Sequence, residues 1–87
     1  MNPNDMVDIF NSGIILLRTV EISCQLGTIA NRWGDEVLNK ITSFIQKFDY
    51  LFPDDLTVSS LNATGMPTED FYQLCDEEEN LLEAVRA

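Results

Sequence analysis

The residues best equipped for chemistry are acids. "QLCDEEENLLEAVRA", Gln73 to Ala87, holds four consecutive carboxylates, Asp76 to Glu79, beside Cys75. Carboxylates in such numbers could hold calcium. On a helix, however, consecutive side chains radiate around the cylinder and do not converge on one ion. The calcium-loop pattern of alternating acids around a central glycine is also missing. Paired carboxylates can act as general acid and base, as in glycosidases, but that chemistry needs a pocket that so small a domain seldom encloses. Cys24 and Cys75 have no ring of neighbouring ligands, and the chain has no histidine and no glycine-rich phosphate loop. A histidine base, the common zinc sites and a dithiol redox motif are therefore absent. The expectation is a protein that is not an enzyme and needs no metal or cofactor.

Two uses remain for the acidic segment. One is a solvated helix face, the usual fate of a charge run, and it suits Asp76, Glu77 and Glu79. The other is contact with a basic partner through Glu77 and Glu78, with Leu81 and Leu82 as apolar anchors beside them. Glu78 stands out because it falls on the apolar stripe itself. It lies seven residues from both Phe71 and Val85 and four from both Leu74 and Leu82. A carboxylate there is expected to sit at the rim or to pair with one of the five cations, Arg18, Arg32, Lys40, Lys47 and Arg86.

Charge is distributed unevenly along the 87 residues. The chain carries a net -10, yet residues 1–48 hold five acids and four bases, whereas residues 49–87 hold ten acids and only Arg86. The second half is the electrostatic surface and the first reads as packing material. A field of this sign repels phosphate backbones and attracts basic partners. The length fits one acidic helical domain, residues 1–87, with a single modest core. No segment approaches the roughly 20 apolar residues that span a bilayer. Asp5 and Asp8 stand where a signal peptide carries bases, and two cysteines are too few for a disulfide framework. These features set the expectation of a cytoplasmic protein with reduced thiols.

The elements that must position these residues read as helices, so the fold expected is a small all-α bundle of three main helices. The first opens near Asn4, with Asp5 and Asp8 favourable to the helix dipole. The second follows Gly34, with Asp35 as cap, and shows Val37, Leu38, Ile41, Phe44, Ile45 and Phe48 at three- and four-residue spacing. It ends by "YLFPDD", since Pro53 disfavours helix at Phe52. The third starts with Thr68 as cap and presents Phe71, Leu74, Cys75, Leu81, Leu82 and Val85. Between the last two lies a region with no regular period, at about 53–67, read as an irregular loop. Leu56, Val58 and Leu61 could form one short strand there or tack the loop onto the bundle.

The stretch "EISCQLGTIANRWG", Glu21 to Gly34, admits two folds. Ser23 and Gly27 have the spacing of a helix-turn-helix. The recognition helix would then be "TIANRWGDE", which has a glycine inside it, two acids at its end and only Arg32 to contact DNA. Non-specific DNA affinity comes from several lysine and arginine contacts to phosphate, so direct nucleic-acid binding is not expected. As one helix, the first segment is apolar on two sides. Met6, Phe10, Leu17, Val20 and Cys24 line one side around Gly13. Ile15, Ile22, Leu26, Ile29 and Trp33 line another as a heptad-like seam. Either the helix runs through Gly27 and the seam faces a partner, or it breaks near Gly27 and both stripes enter one core.

The function expected is a non-enzymatic protein–protein interaction module: an adaptor, a chaperone or an assembly subunit. It docks through Ile15, Ile22, Leu26, Ile29 and Trp33 and through the acidic C-terminal helix. The partner would be a protein with a basic or apolar groove, in a homo-oligomer or a hetero-complex, without a membrane. The alternative is a small acidic nucleic-acid mimic, of the kind viruses deploy, that inhibits a DNA- or RNA-binding protein.

Overall fold

A computed structural model describes residues 2–87 as four helices without a strand: α1 (Pro3–Leu26), α2 (Asp35–Leu51), α3 (Val58–Ala63) and α4 (Thr68–Arg86). The small all-α bundle is present. Helix α1 is its hub and touches each of the other three, while α2 also packs on α4. None of these helices is long and apolar enough to cross a membrane.

The N-terminus of α1 lies earlier than the position assigned to Asn4. Asn2 is the cap: its backbone is extended and its side-chain oxygen accepts from the Asn4 N–H at 2.8 Å. Pro3 explains the shift, because its fixed φ suits the first helical position and it has no N–H to leave unsatisfied. At the other end, Gly27 takes the left-handed conformation, φ 75°. Its N–H reaches the Cys24 carbonyl at 3.2 Å, and the Thr28 N–H reaches Ser23 at 3.0 Å. That pair of bonds is a Schellman motif. It ends α1 at Leu26, so a helix continuous through Gly27 does not exist. Nor does a recognition helix, because residues 27–34 are non-helical, a turn and bends followed by irregular chain.

Helix α2 begins at Asp35, with Gly34 (φ 92°) rather than Asp35 in the cap position. Ile41, Phe44, Ile45 and Phe48 are its buried residues, as their spacing predicts. The chain then leaves the helix at Phe52, ahead of Pro53. The region read as a loop contains the six-residue α3. Its N-terminus is a reciprocal cap: Thr57 Oγ1 accepts from the Ser60 N–H at 3.0 Å, and Ser60 Oγ accepts from the Thr57 N–H at 2.8 Å. A helix this short has no amphipathic period to betray it. Leu56 is fully buried, and its carbonyl accepts from Asn11 Nδ2 at 2.9 Å, which fastens the segment to α1. Thr68 is the first residue of α4 and Pro67 precedes it as cap, so Thr68 is not the cap.

The core is built around Phe10, with ring centroids 6.2, 5.8 and 5.6 Å from Phe44, Phe48 and Phe71. Helices α2 and α4 thus meet α1 through aromatic faces, while α3 contributes no buried residue. Val7, Ile14, Leu17 and Val20 continue the contact along α1, and Phe71, Leu74, Leu82 and Val85 along α4.

Candidate partner-binding face

On α1, side chains three or four residues apart lie on one face, so Ile15, Ile22 and Leu26 form a line turned away from Phe10 and Leu17. They are 66%, 50% and 72% exposed, and Ile29, just beyond the helix end, is 41% exposed. The break at Gly27 therefore does not draw the second stripe into the core. Folding back would require α1 to bury two faces, and α2, α3 and α4 already occupy the first.

Trp33 departs from this line. It is half-buried against the core, and its Nε1 donates to the Val85 carbonyl at 3.2 Å. Arg32 Nη2 donates to the same oxygen at 3.5 Å, with its guanidinium 5.0 Å from the Trp33 ring. Carbonyls in the last turn of a helix have no partner within it. Trp33 therefore ties the α1–α2 connection to the end of α4. Its indole belongs to the fold, not to an open seam, because Gly27 redirects the chain before the heptad reaches it.

The residues assigned to the acidic site separate in the same way. Glu77 is on the surface of α4 and accepts from Lys47 Nζ at 2.8 Å. Leu81 is half-buried and lines a groove of about 570 Å³ between α2 and α4, together with Lys40, Phe44, Lys47 and Glu77. Leu82 is in the core and cannot anchor a partner. Glu78 is neither at a rim nor ion-paired: it is 4% exposed, and its Oε2 has no hydrogen-bond partner. Arg18 bonds Asp49, with Nη1–Oδ2 at 3.3 Å, and this holds the Asp49 carboxyl below its usual range. Lys40 lies 3.4 Å from Glu36. Among the described residues, no cation reaches Glu78.

Gly13 makes this burial sterically feasible. A Cβ at that position would lie 2.6–2.8 Å from all three carboxyl atoms of Glu78, so the acid rests where α1 has no side chain. Desolvation, and then repulsion from Glu79, push the Glu78 carboxyl up to about 8. Burial likewise pushes the Cys75 thiol up to about 11, with Glu78 and Asp76 adding to it, so this thiol is a poor nucleophile. Both cysteines are free, and no group of three metal-ligating side chains forms among the described residues. Sequence reasoning marked Glu78 as anomalous from its register. Its burial was hidden because the decisive neighbour, Gly13, is 65 positions away.

Comparison with protein-family models, with characterised proteins and with solved structures found no match for this chain.

Proposed function

We propose that the chain is a non-enzymatic protein–protein interaction module that pairs with a second copy of itself through the outer face of α1. The carrying observation is the aligned exposure of Ile15, Ile22 and Leu26, extended by Ile29. Burying each such side chain is worth about 1.5–3 kcal/mol, and an ordered apolar line on an otherwise polar surface is a recurrent mark of an interface. Charge favours a second copy as the occupant. Residues 1–48, which include the whole line, carry a net charge of only -1, so two copies can meet there without strong repulsion. The acid-rich half stays outward, free to engage a basic surface on a further protein. An adaptor, a chaperone or an assembly subunit would work in this way.

Light scattering after size exclusion tests the reading. The wild type is expected at twice the protomer mass and Ile22→Glu at the protomer mass, with unchanged helicity. A wild type that is monomeric at every accessible concentration would overturn it. The nucleic-acid-mimic reading is supported by the ten acids of residues 49–87, seven of which form neither an ion pair nor a core contact among the described residues. It predicts a complex with a DNA- or RNA-binding protein that dissociates steeply as salt rises, whereas apolar pairing hardly responds.

A further inference from the structure

Beside Ile15, at the edge of the outer face of α1, opens a groove of about 370 Å³ between α1 and the end of α2. Phe48 and Phe52 line its apolar part, and Asp49, Asp54 and Asp55 line its polar part. Arg18 pairs with Asp49, whereas Asp54 and Asp55 are exposed and in no ion pair among the described residues. The other end of the apolar line has the opposite character. Residues 22–34 hold no acid, and their single charge is Arg32. Its side chain is exposed and meets no carboxylate among the described residues. The next acids, Asp35 and Glu36, begin α2, and Glu36 is turned to Lys40 at the α2–α4 groove.

We propose that the two copies paired through α1 run antiparallel, the stretch from Leu26 to Arg32 of one lying in the groove beside Ile15 of the other. This direction rests on the self-pairing proposed above. A stable pair buries at least about 600 Å² on each copy, more than three partly exposed aliphatic side chains supply, so the contact must extend past the line. The groove is that extension. It begins at Ile15, offers aromatic rings to Leu26 and Ile29 of the second copy, and carries free carboxylates that match the second copy's Arg32.

Charge selects the direction. In a parallel pair the two groove ends coincide, and six carboxylates face one another with only two Arg18 guanidinium groups among them. In an antiparallel pair with Ile15 against Leu26, the grooves stand eleven residues apart along α1. That is about 16 Å, beyond the Debye length of about 8 Å in physiological salt. Each acidic end then meets the other copy's acid-free end. The two-fold axis passes between Thr19 and Ile22, so the line contacts itself, which is an isologous interface.

The test is a pulsed electron–electron distance measurement on the full chain, with light scattering of the same sample. One spin label is placed at Asp8→Cys in a Cys24→Ser, Cys75→Ser background. Asp8 is exposed and lies two turns before Ile15 on the same side of α1. Antiparallel pairing places the two labels about 35–45 Å apart, and parallel pairing within about 20 Å. A monomer overturns the self-pairing and its direction together, whereas a dimer with the short distance overturns the direction alone. Two charge reversals probe the groove. Arg32→Glu and Asp55→Lys are each expected to weaken the dimer about three- to tenfold, and the double variant to return within about threefold of wild type. Net charge by itself predicts the opposite sign for Asp55→Lys, because that change lowers the repulsion between two chains at -10. Tighter pairing in Asp55→Lys, or no recovery in the double variant, would overturn the proposal. If the cysteine-free chain does not fold, the charge reversals decide alone.

Discussion

The two long faces of α1 follow the same helical geometry and have opposite fates. The inner face, Val7, Phe10, Ile14, Leu17 and Val20, is covered by three helices, and where it lacks a side chain, at Gly13, a carboxyl from α4 fills the gap. The outer face carries Ile15, Ile22 and Leu26 among polar neighbours such as Arg18 and Thr19, and these three apolar side chains remain at least half exposed. An apolar period fixes which residues share a side. It does not fix how many sides the rest of a short chain can cover. With α2, α3 and α4 all engaged on the inner side, none of the described helices packs over the other.

The contrast is sharpest in truncations. Phe10→Ala should cost about 3–5 kcal/mol of unfolding free energy, because it empties the space between Phe44, Phe48 and Phe71. Ile22→Ala should change the stability of the isolated protomer by no more than about 0.5 kcal/mol. Urea unfolding of both variants at low protein concentration measures the difference. Equal losses would mean that the outer face is packed after all.

Glu78 offers a pH-resolved test of the inner face. Its folded-state carboxyl is raised above the ordinary value near 4.5 to about 8, so the neutral form is the one the fold prefers. Stability from this group is fully present below about 4.5 and is lost as pH rises from there through about 8. The loss is on the order of 3–5 kcal/mol. Thermal melts at pH 5 and pH 8 should show the wild type falling over this window. Gly13→Ala, which evicts the carboxyl into water, should flatten the dependence. A wild-type melting temperature that does not fall between these pH values would show that Glu78 is not held neutral.

Smaller effects belong to the contacts that flank the two faces. Trp33→Phe keeps the ring but loses the bond to the Val85 carbonyl, and should cost about 0.5–1.5 kcal/mol with faster amide exchange at the end of α4. Asp49→Asn breaks the exposed pair with Arg18 and should cost no more than about 1 kcal/mol, less at high salt. A larger loss would give the α1–α2 edge more weight than either face.

Much of the fold could be read from local pattern. Ile41, Phe44, Ile45 and Phe48 recur at helical spacing and are buried, as are Phe71, Leu74, Leu82 and Val85. Other features were legible only in part. Gly27 signalled either a turn or a tolerated interruption, and the left-handed cap decides for the end of a helix. α3 is too short for periodicity, and its Thr57–Ser60 cap uses serine where the recognisable signature has glutamate or glutamine. Leu82 was placed with the acids beside it, yet its register with Phe71 and Leu74 puts it in the core.

The sequence by itself determined the three long helices, their apolar sides and the concentration of negative charge after residue 48, because each depends on residue type or on a period of 3.6. Only the tertiary structure decided which apolar side is covered, that Trp33 closes the end of α4, and that Glu78 lies buried against Gly13. Those outcomes depend on what stands opposite a residue in space, and a helix's own period carries no information about its neighbours.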